Sequence, residues 1–251
     1  MRKSEGTVLS LITIAWSFLR DHPVFVPIIF WLGVVPGSSL DFLWSLFPAS
    51  NPTQQHVQDL CLAVVRLLFA YWSLVAILLV GKRLLKQKAG RKRSSLLAVI
   101  HESAPLIIPL ICTSLLRACI AIYWTLLLVI PGLIYLLKTT FYAIAMVIDD
   151  VQYRAALKRS SDLVTGRFWQ VVWTLLLLVI ILIAPAELAF YGLEIWLTPL
   201  GRVPELIALI VGHTLEQTAV VMLILSMVAY YGQLTHAKAH AEAKRLHSGA
   251  K

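Results

Sequence analysis

The sequence predicts an all-α fold, namely a polytopic integral membrane protein with six transmembrane helices and short cytoplasmic amphipathic helices. Its 251 residues are 59% hydrophobic and 14% charged, with a mean hydropathy of +0.80. A soluble domain of this length would be about one quarter charged. Apolar runs of about 18 residues or more recur along the chain, and a run of this length can cross a bilayer as a helix. The alternating polarity of membrane-barrel strands is absent, so the runs predict helices.

The predicted elements form a single membrane domain over residues 1–251. An apolar stripe over residues 5–20 predicts an interfacial helix, which Pro23 stops. The six predicted spans cover about 24–47, 57–81, 105–130, 133–148, 168–191 and 205–233. Pro36-Gly37 is expected to interrupt the first span, and Pro131-Gly132 to form a tight turn before the fourth.

Polar segments between the spans predict the remaining elements. These are two surface helices, a short connection and a cytoplasmic tail, over 94–104, 149–167, 192–204 and 234–251. Amphipathic segments at 5–20, 94–104 and 150–165 each lead into a pair of spans. This pattern is compatible with an internal threefold repeat, although its spacing is irregular.

The distribution of basic residues predicts the orientation. Eighteen Lys and Arg residues lie in the amino-terminal arm, the 82–93 loop, the 149–167 segment and the tail, whereas the opposite loops hold only Arg202. The positive-inside rule therefore places both termini in the cytoplasm, and an even number of spans agrees with this. The same rule accounts for the net charge of +9, so nucleic acid is not an expected partner.

The most distinctive polar segment is 148–169, which predicts an amphipathic helix at a membrane surface. The acidic pair Asp149-Asp150 suits a helix N-terminus, and Gly166 suits a C-terminal cap. Small and apolar residues share one face and charged residues another: Ala156, Ser160, Leu163 and Val164 against Arg154, Lys158 and Asp162. The aromatic pair Phe168-Trp169 is typical of a membrane interface and opens the next span.

This segment resembles YciC-like bacterial inner-membrane proteins, and it is similar to the membrane domain fused to some glycerophosphodiester phosphodiesterases. The residues that carry the resemblance are Asp149, Asp150, Ala156, Leu157, Lys158, Arg159, Ser160, Leu163, Val164, Gly166, Phe168 and Trp169. The Ile130-Pro131-Gly132 turn fits the same pattern. The resemblance implies a six-span bundle in the bacterial inner (cytoplasmic) membrane. It implies no established activity and supplies no catalytic residues.

Charged residues inside predicted spans are costly to bury and are therefore candidates for function. The candidate contacts for lipid or substrate are Arg66, Arg117, Lys138, Glu187, His213 and Glu216. His213 and Glu216 lie one helical turn apart, beside Gln217. They can form a proton relay or half of a metal site, or they can pair with Arg202 or a neighbouring helix.

Four further expectations concern the basic residues. Arg117 and Glu187 can pair across the bundle, and Lys138 is expected to snorkel toward the outer surface. A basic residue that lines a cavity can also hold a lipid phosphate. The run from Lys82 to Arg93 is expected to attract anionic lipid headgroups, at about 1 kcal/mol per basic residue.

No cofactor, metal ion or catalytic group is predicted. A metal site of the Glu-x-x-His kind needs a second such pair, which the sequence lacks. The cysteines Cys61, Cys112 and Cys119 have no metal-binding spacing. No His or acidic residue accompanies Ser160-Ser161 in the manner of a hydrolase.

The sequence therefore favours a non-enzymatic membrane protein with a scaffold, accessory or lipid-associated role in the cell envelope. Its expected partners are membrane lipids and another membrane protein. The alternative is a secondary transporter or lipid-handling protein that uses the intramembrane charged residues. A membrane enzyme acting on lipid is the third hypothesis.

Overall fold

A computed structural model describes residues 8–47, 51–86 and 96–249, and within these ranges the chain is helical and contains no strand. The helices are α1 (Val8–Asp21), α2 (Phe25–Ile28), a π-helical turn (Ile29–Val34), α3 (Val35–Leu46), α4 (Pro52–Lys86), α5 (Leu96–Leu127), α6 (Val129–Lys138), α7 (Tyr142–Ile148), α8 (Tyr153–Val164), α9 (Phe168–Leu197), a 3₁₀ turn (Thr198–Leu200) and α10 (Arg202–Gly249).

Several of these helices are long and apolar enough to cross a membrane. Five helical segments meet that criterion by length and composition: Pro52–Lys82, Leu96–Leu127, Val129–Ile148, Phe168–Leu200 and Arg202–Lys244. A sixth arises if Val8–Asp21 and Phe25–Leu40, which meet at 95°, are taken together as one broken span. The predicted all-helical, membrane-compatible fold is thus confirmed at this level.

The long helix α10 is the centre of the bundle. It packs against α9 along much of its length and also contacts α1, α3, α4 and the π-helical turn. Its buried residues join two hydrophobic cores, one with α7 and α8 and the other with α1 and α2. Burial of these apolar faces holds the helices together, and the cores fix where the polar side chains of α10 lie.

The first span differs from the prediction because Pro36-Gly37 does not interrupt it. Helical structure continues from Phe25 to Leu46, and the irregularity is the preceding π-helical turn. Pro36 lacks an N–H group, and its ring would clash with the carbonyl of Leu32 in a regular α-helix. One wide turn before the proline accommodates both effects, and here the Val35 amide donates to the Phe30 carbonyl.

The predicted surface helix at 94–104 is wrong as a separate element. Residues 94 and 95 lie outside the described residues, and from Leu96 the segment is continuous with the third span as α5. Pro105 and Pro109 therefore lie inside a helix rather than at its start. Helices of apolar composition tolerate proline because neighbouring helices, hydroxyl side chains and local backbone adjustments satisfy the groups that it frees.

The turn before the fourth span was also predicted at the wrong residues. The chain reverses at Leu128, which is extended (φ −158°, ψ 128°), whereas Pro131 and Gly132 lie in the first turns of α6. Proline is compatible with a first helical turn because the N–H groups there have no intrahelical partner. Gly132 packs directly on Thr125 of α5, so the two helices form a tight hairpin.

The fourth span is broken where the sequence predicted one helix over 133–148. Helix α6 ends at Lys138 and α7 begins at Tyr142, with Thr139, Thr140 and Phe141 between them. Every residue of α7 is buried. The apolar composition of this region predicts burial, but it does not reveal a break that side chains of other helices stabilise.

The last two helices extend beyond the predicted spans. Helix α9 continues to Leu197, beyond the predicted end at 191, and the chain turns at Gly201, whose φ is +122°. Helix α10 begins at Arg202 and runs to Gly249, so the described part of the predicted 234–251 tail continues the last span. Pro185 is accommodated within α9, and α1 ends at Asp21, before Pro23, as predicted.

Candidate functional site

Most of the candidate intramembrane charges lie around one cavity of about 560 Å³, bounded by α3 and the π-helical turn, α4, α9 and α10. Its polar lining comes from three of these helices: Arg66 and Ser73 of α4, Glu187 of α9, and His213, Glu216 and Gln217 of α10. Its apolar lining includes Leu32, Phe69, Leu74, Phe190, Val220 and Ile224. The structure therefore brings the predicted His213–Glu216 pair together with Arg66 and Glu187.

Two glycines allow the first span to approach α10 closely at this cavity. A Cβ atom at Gly33 would lie 2.6 Å from Gln217 Cγ, and one at Gly37 would lie 3.2 Å from His213 Nδ1. Gly33 and Gly37 are four residues apart, which is the small-xxx-small spacing of closely packed membrane helices. Glycine at these two positions leaves room for the Gln217 and His213 side chains, which a Cβ atom would force to shift.

His213 and Glu216 form a side-chain pair on α10. Nδ1 of His213 lies 3.2 Å from Oε2 of Glu216, and the His213 side chain is 10% exposed against 29% for Glu216. The ring of Phe190 lies 5.1 Å from the His213 ring, between centroids. The imidazole is therefore held between α3 and α9, and it orients the carboxylate of Glu216 at the cavity wall.

Arg117 does not pair with Glu187, contrary to the prediction. Its Nε donates to Thr139 Oγ1 at 2.9 Å and its Nη2 donates to Leu136 O at 2.8 Å. Its guanidinium also lies 5.1 Å from the centre of the Tyr142 ring. A cation at the C-terminal end of α6 is favourable because the last carbonyls of a helix lack backbone partners. Arg117 thus stabilises the break between α6 and α7.

Lys138 is likewise away from the cavity. Its backbone carbonyl accepts a hydrogen bond from Ser160 Oγ at 2.9 Å, so the end of α6 lies against α8. The snorkelling of the Lys138 side chain toward the outer surface stays a prediction. The same Ser160 oxygen accepts from the Phe141 amide at 3.0 Å. Ser160 is fully buried, and its hydroxyl satisfies two backbone groups that the broken span leaves without partners.

The acidic pair of the 148–169 segment joins three helices at one end of the bundle. Oδ2 of Asp149 accepts from Arg159 Nε at 2.8 Å and from Tyr231 Oη at 2.7 Å. This hydrogen bond to Asp149 raises the pKa of Arg159, so the guanidinium stays charged. Asp150 pairs with Lys82 of α4 at 2.6 Å. The two carboxylates therefore tie α4, α8 and α10 together.

The buried and exposed residues of α8 agree with the predicted amphipathic pattern. Ala156, Ser160, Leu163 and Val164 are buried, whereas Lys158 is exposed. Gly166 has a φ of +88°, the left-handed conformation of a helix C-terminal cap, although Asp149 and Asp150 precede α8 without entering it. Trp169 is 69% exposed in the first turn of α9.

The predicted lipid contact along the basic run is only partly within the described residues. Lys82 is engaged with Asp150, and residues 87–95, which include four of the seven basic side chains, lie outside them. The contact with anionic headgroups stays a prediction. No group of three or more His, Cys, Asp or Glu side chains that could hold a metal ion occurs in residues 8–47, 51–86 and 96–249.

Several residues of the site were not singled out from the sequence. Gly33 and Gly37 are not among the candidate contacts, although their four-residue spacing indicates close helix packing. Phe190 lies three residues after Glu187 on α9 and so shares its face. Tyr231 and Thr139 bind charged side chains that are distant in sequence, and no local pattern indicates such partners.

These features define a helical, multi-pass type of protein with a polar cavity inside an apolar bundle. Residues 94–235 match the family described as a domain of unknown function, DUF7847, which covers more than half of the chain. The protein belongs to this family. The matched region includes Glu187, His213 and Glu216 and the whole 148–169 segment, but not the α2–α4 side of the cavity. No curated protein and no solved structure matches the chain.

Proposed function

We propose that this protein is a multi-pass bacterial inner-membrane protein that binds a small ligand in the α3–α4–α9–α10 cavity and moves or handles it within the bilayer. This proposal takes the transporter or lipid-handling alternative over the scaffold role. The observation that carries it is the convergence of Arg66, Glu187, His213 and Glu216 on one cavity. Ionisable residues in spans are costly, and they commonly line substrate or ion pathways.

The size and lining of the cavity support a small-molecule site. Ligand pockets commonly enclose about 300–1,000 Å³ and combine apolar walls with a few polar groups, and this cavity has both properties. Sites between helices of a bundle are a frequent location for such pockets. The π-helical turn beside it also fits, because single π-turns occur often at functional sites.

The proposed position of the site is the outer half of the membrane. Along α4, Arg66 lies 16 residues from Lys82, or about 24 Å at 1.5 Å per residue. Along α10, Glu216 lies 15 residues from Tyr231, or about 22 Å. Lys82 and Tyr231 belong to the ion-paired end that carries the basic residues, and the positive-inside rule assigns that end to the cytoplasm.

The scaffold role loses its main support in this geometry. It rested on the amphipathic 149–167 segment as a surface for partners. Asp149 accepts from Tyr231 of α10 and Ser160 bonds the backbone between α6 and α7, whereas Arg159 bonds Asp149 within the segment. These contacts stabilise the fold, so the presence of the polar residues needs no partner protein to explain it. The resemblance to YciC-like proteins remains a prediction beside the family match.

Native mass spectrometry of the protein released from its own membranes tests the proposal. The wild type is expected to retain one small molecule at a ratio of one to one. Ala70→Phe, which enlarges a cavity-lining residue of α4, is expected to abolish this retention. Ala63→Phe is the matched control because Ala63 is exposed on the same helix and does not line the cavity. Retention of another membrane protein, with only mixed lipid bound, would instead support the scaffold role.

A further inference from the structure

We propose that the ligand of this cavity is an organic monocation with an apolar body, held through its cationic group by Glu187. This inference rests on the proposed function and names its substrate class. It depends on three properties of the cavity: its balance of charges, the aromatic side chains beside the carboxylate, and the apolar nature of the remaining wall.

The charged lining of the cavity is acidic overall. Among the described residues that line it, two carboxylates, those of Glu187 and Glu216, accompany one guanidinium, that of Arg66. The two carboxylates differ in their environment. Glu216 bonds His213, whereas the half-buried carboxylate of Glu187 makes no hydrogen bond or ion pair with any residue in the described ranges.

A carboxylate in an apolar bundle with no partner among the described residues favours a positively charged ligand. Removal of an ionised carboxylate from water is costly unless a counter-charge compensates it. A bound cation supplies that charge while the site is occupied. Glu187 is therefore the group in this cavity that gains most from a cationic ligand.

Aromatic rings in the lining of the cavity favour an organic cation over an inorganic one. Phe190 is three residues further along α9 and lines the same cavity, and Phe69 of α4 contributes a second ring. The faces of aromatic rings attract ammonium-type groups, and the interaction gains strength where water is excluded. Carboxylate and rings together can hold a cation whose hydration shell is weak.

The rest of the wall suits an apolar body. Leu32, Leu74 and Val220 offer no hydrogen-bonding side chains. A strongly hydrated metal ion would need several oxygen ligands in place of such a wall. An amphipathic monocation matches both parts of the lining.

A pair of probes with the same shape and opposite charge tests the ligand class. Tetraphenylphosphonium and tetraphenylborate are titrated into the full-length protein in nanodiscs of zwitterionic lipid, with empty nanodiscs as the blank. Tetraphenylphosphonium is expected to bind saturably at one site, and Glu187→Gln is expected to weaken it at least tenfold. Glu194→Gln, an exposed position two turns further along α9, is expected to leave the affinity unchanged.

Two further variants separate loss of charge from loss of fold. Glu187→Asp keeps the carboxylate and is expected to retain binding within a few-fold of the wild type. Phe190→Leu keeps the apolar bulk but removes the ring, and it is expected to weaken tetraphenylphosphonium several-fold. Each variant is compared with the wild type in melting temperature, so an unfolded protein is not counted as one that fails to bind.

The outcomes distinguish a wrong ligand class from a wrong site. If tetraphenylborate binds and Ala70→Phe abolishes its binding, while tetraphenylphosphonium does not bind, the cavity is a ligand site but the monocation is wrong. If both probes bind equally to the wild type and to Ala70→Phe, the cavity is not a ligand site, and the proposed function fails with it.

Discussion

At the scale of single residues, two side chains make the broken fourth span possible. Ser160 reaches from α8 to the Lys138 carbonyl and the Phe141 amide, and Arg117 reaches from α5 to the Leu136 carbonyl. Inside an apolar bundle, buried backbone groups without partners are destabilising. Both side chains come from other helices, so the break is a tertiary feature.

Ser160→Ala is expected to destabilise the protein because it leaves a buried amide and a buried carbonyl without partners. The expected loss is about 1–3 kcal/mol, measured by denaturant-induced unfolding in detergent micelles. Ser161→Ala is the control, since this neighbour is less buried and does not contact the break. Equal effects of the two substitutions would show that the Ser160 hydroxyl does not stabilise the break.

At the scale of elements, the cavity depends on how the first span packs on α10. The π-helical turn sets the rotation of the helix before Pro36, and Gly33 and Gly37 remove the bulk that would separate the helices. The polar face of α10 is thereby brought against a helix that offers no polar side chain at those two positions. The cavity lies beside this contact between the first span and α10.

Gly33→Ala is expected to disturb this packing, because the added methyl group would meet Gln217 at 2.6 Å. The expected cost is about 1–3 kcal/mol of stability, read from unfolding in detergent, as for other overpacked contacts. Gly192→Ala is the matched control because no atom lies within 4 Å of the new Cβ. That control is expected to be neutral, or to stabilise α9 by about 0.5–1 kcal/mol through helix propensity.

The sequence predicted those features that depend on residues close together in the chain. The buried face of α8, the end of α1 before Pro23 and the left-handed Gly166 follow from periodicity, proline and glycine. The predicted helix start at Pro105 and the predicted turn at Pro131 were wrong, because an apolar environment and first-turn positions tolerate proline. Which charges meet depends on the rotation of whole helices, and sequence periodicity does not determine that.

At the scale of the whole molecule, the two ends of the bundle have different characters. One end is closed by the Asp149–Arg159 and Asp150–Lys82 pairs, and the other holds the cavity. In the proposed orientation, the ion-paired end is cytoplasmic and the cavity lies toward the outside. Such an asymmetry would let a ligand enter from one side only.

The orientation is expected to show in the labelling of single cysteines by a membrane-impermeant maleimide in intact cells. Arg202→Cys should react, because Arg202 is exposed and predicted to lie outside, whereas Lys158→Cys, exposed on α8, should react only after lysis. The native Cys61, Cys112 and Cys119 are exposed and are replaced by alanine first. Reaction of Lys158→Cys before lysis would show that the orientation is inverted.

The central claim is that a polar, ligand-accessible cavity lies among α3, α4, α9 and α10. The most direct test compares two neighbouring single cysteines on α10, each treated from outside the cell with a small, charged, membrane-impermeant thiol reagent. Gln217 lines the cavity, whereas Leu215 is 42% exposed on the apolar surface. If the cavity is open to the outside, Gln217→Cys reacts rapidly and Leu215→Cys at least tenfold more slowly, since the charged reagent does not enter lipid. Equal reactivity, or an unreactive Gln217→Cys, would contradict it.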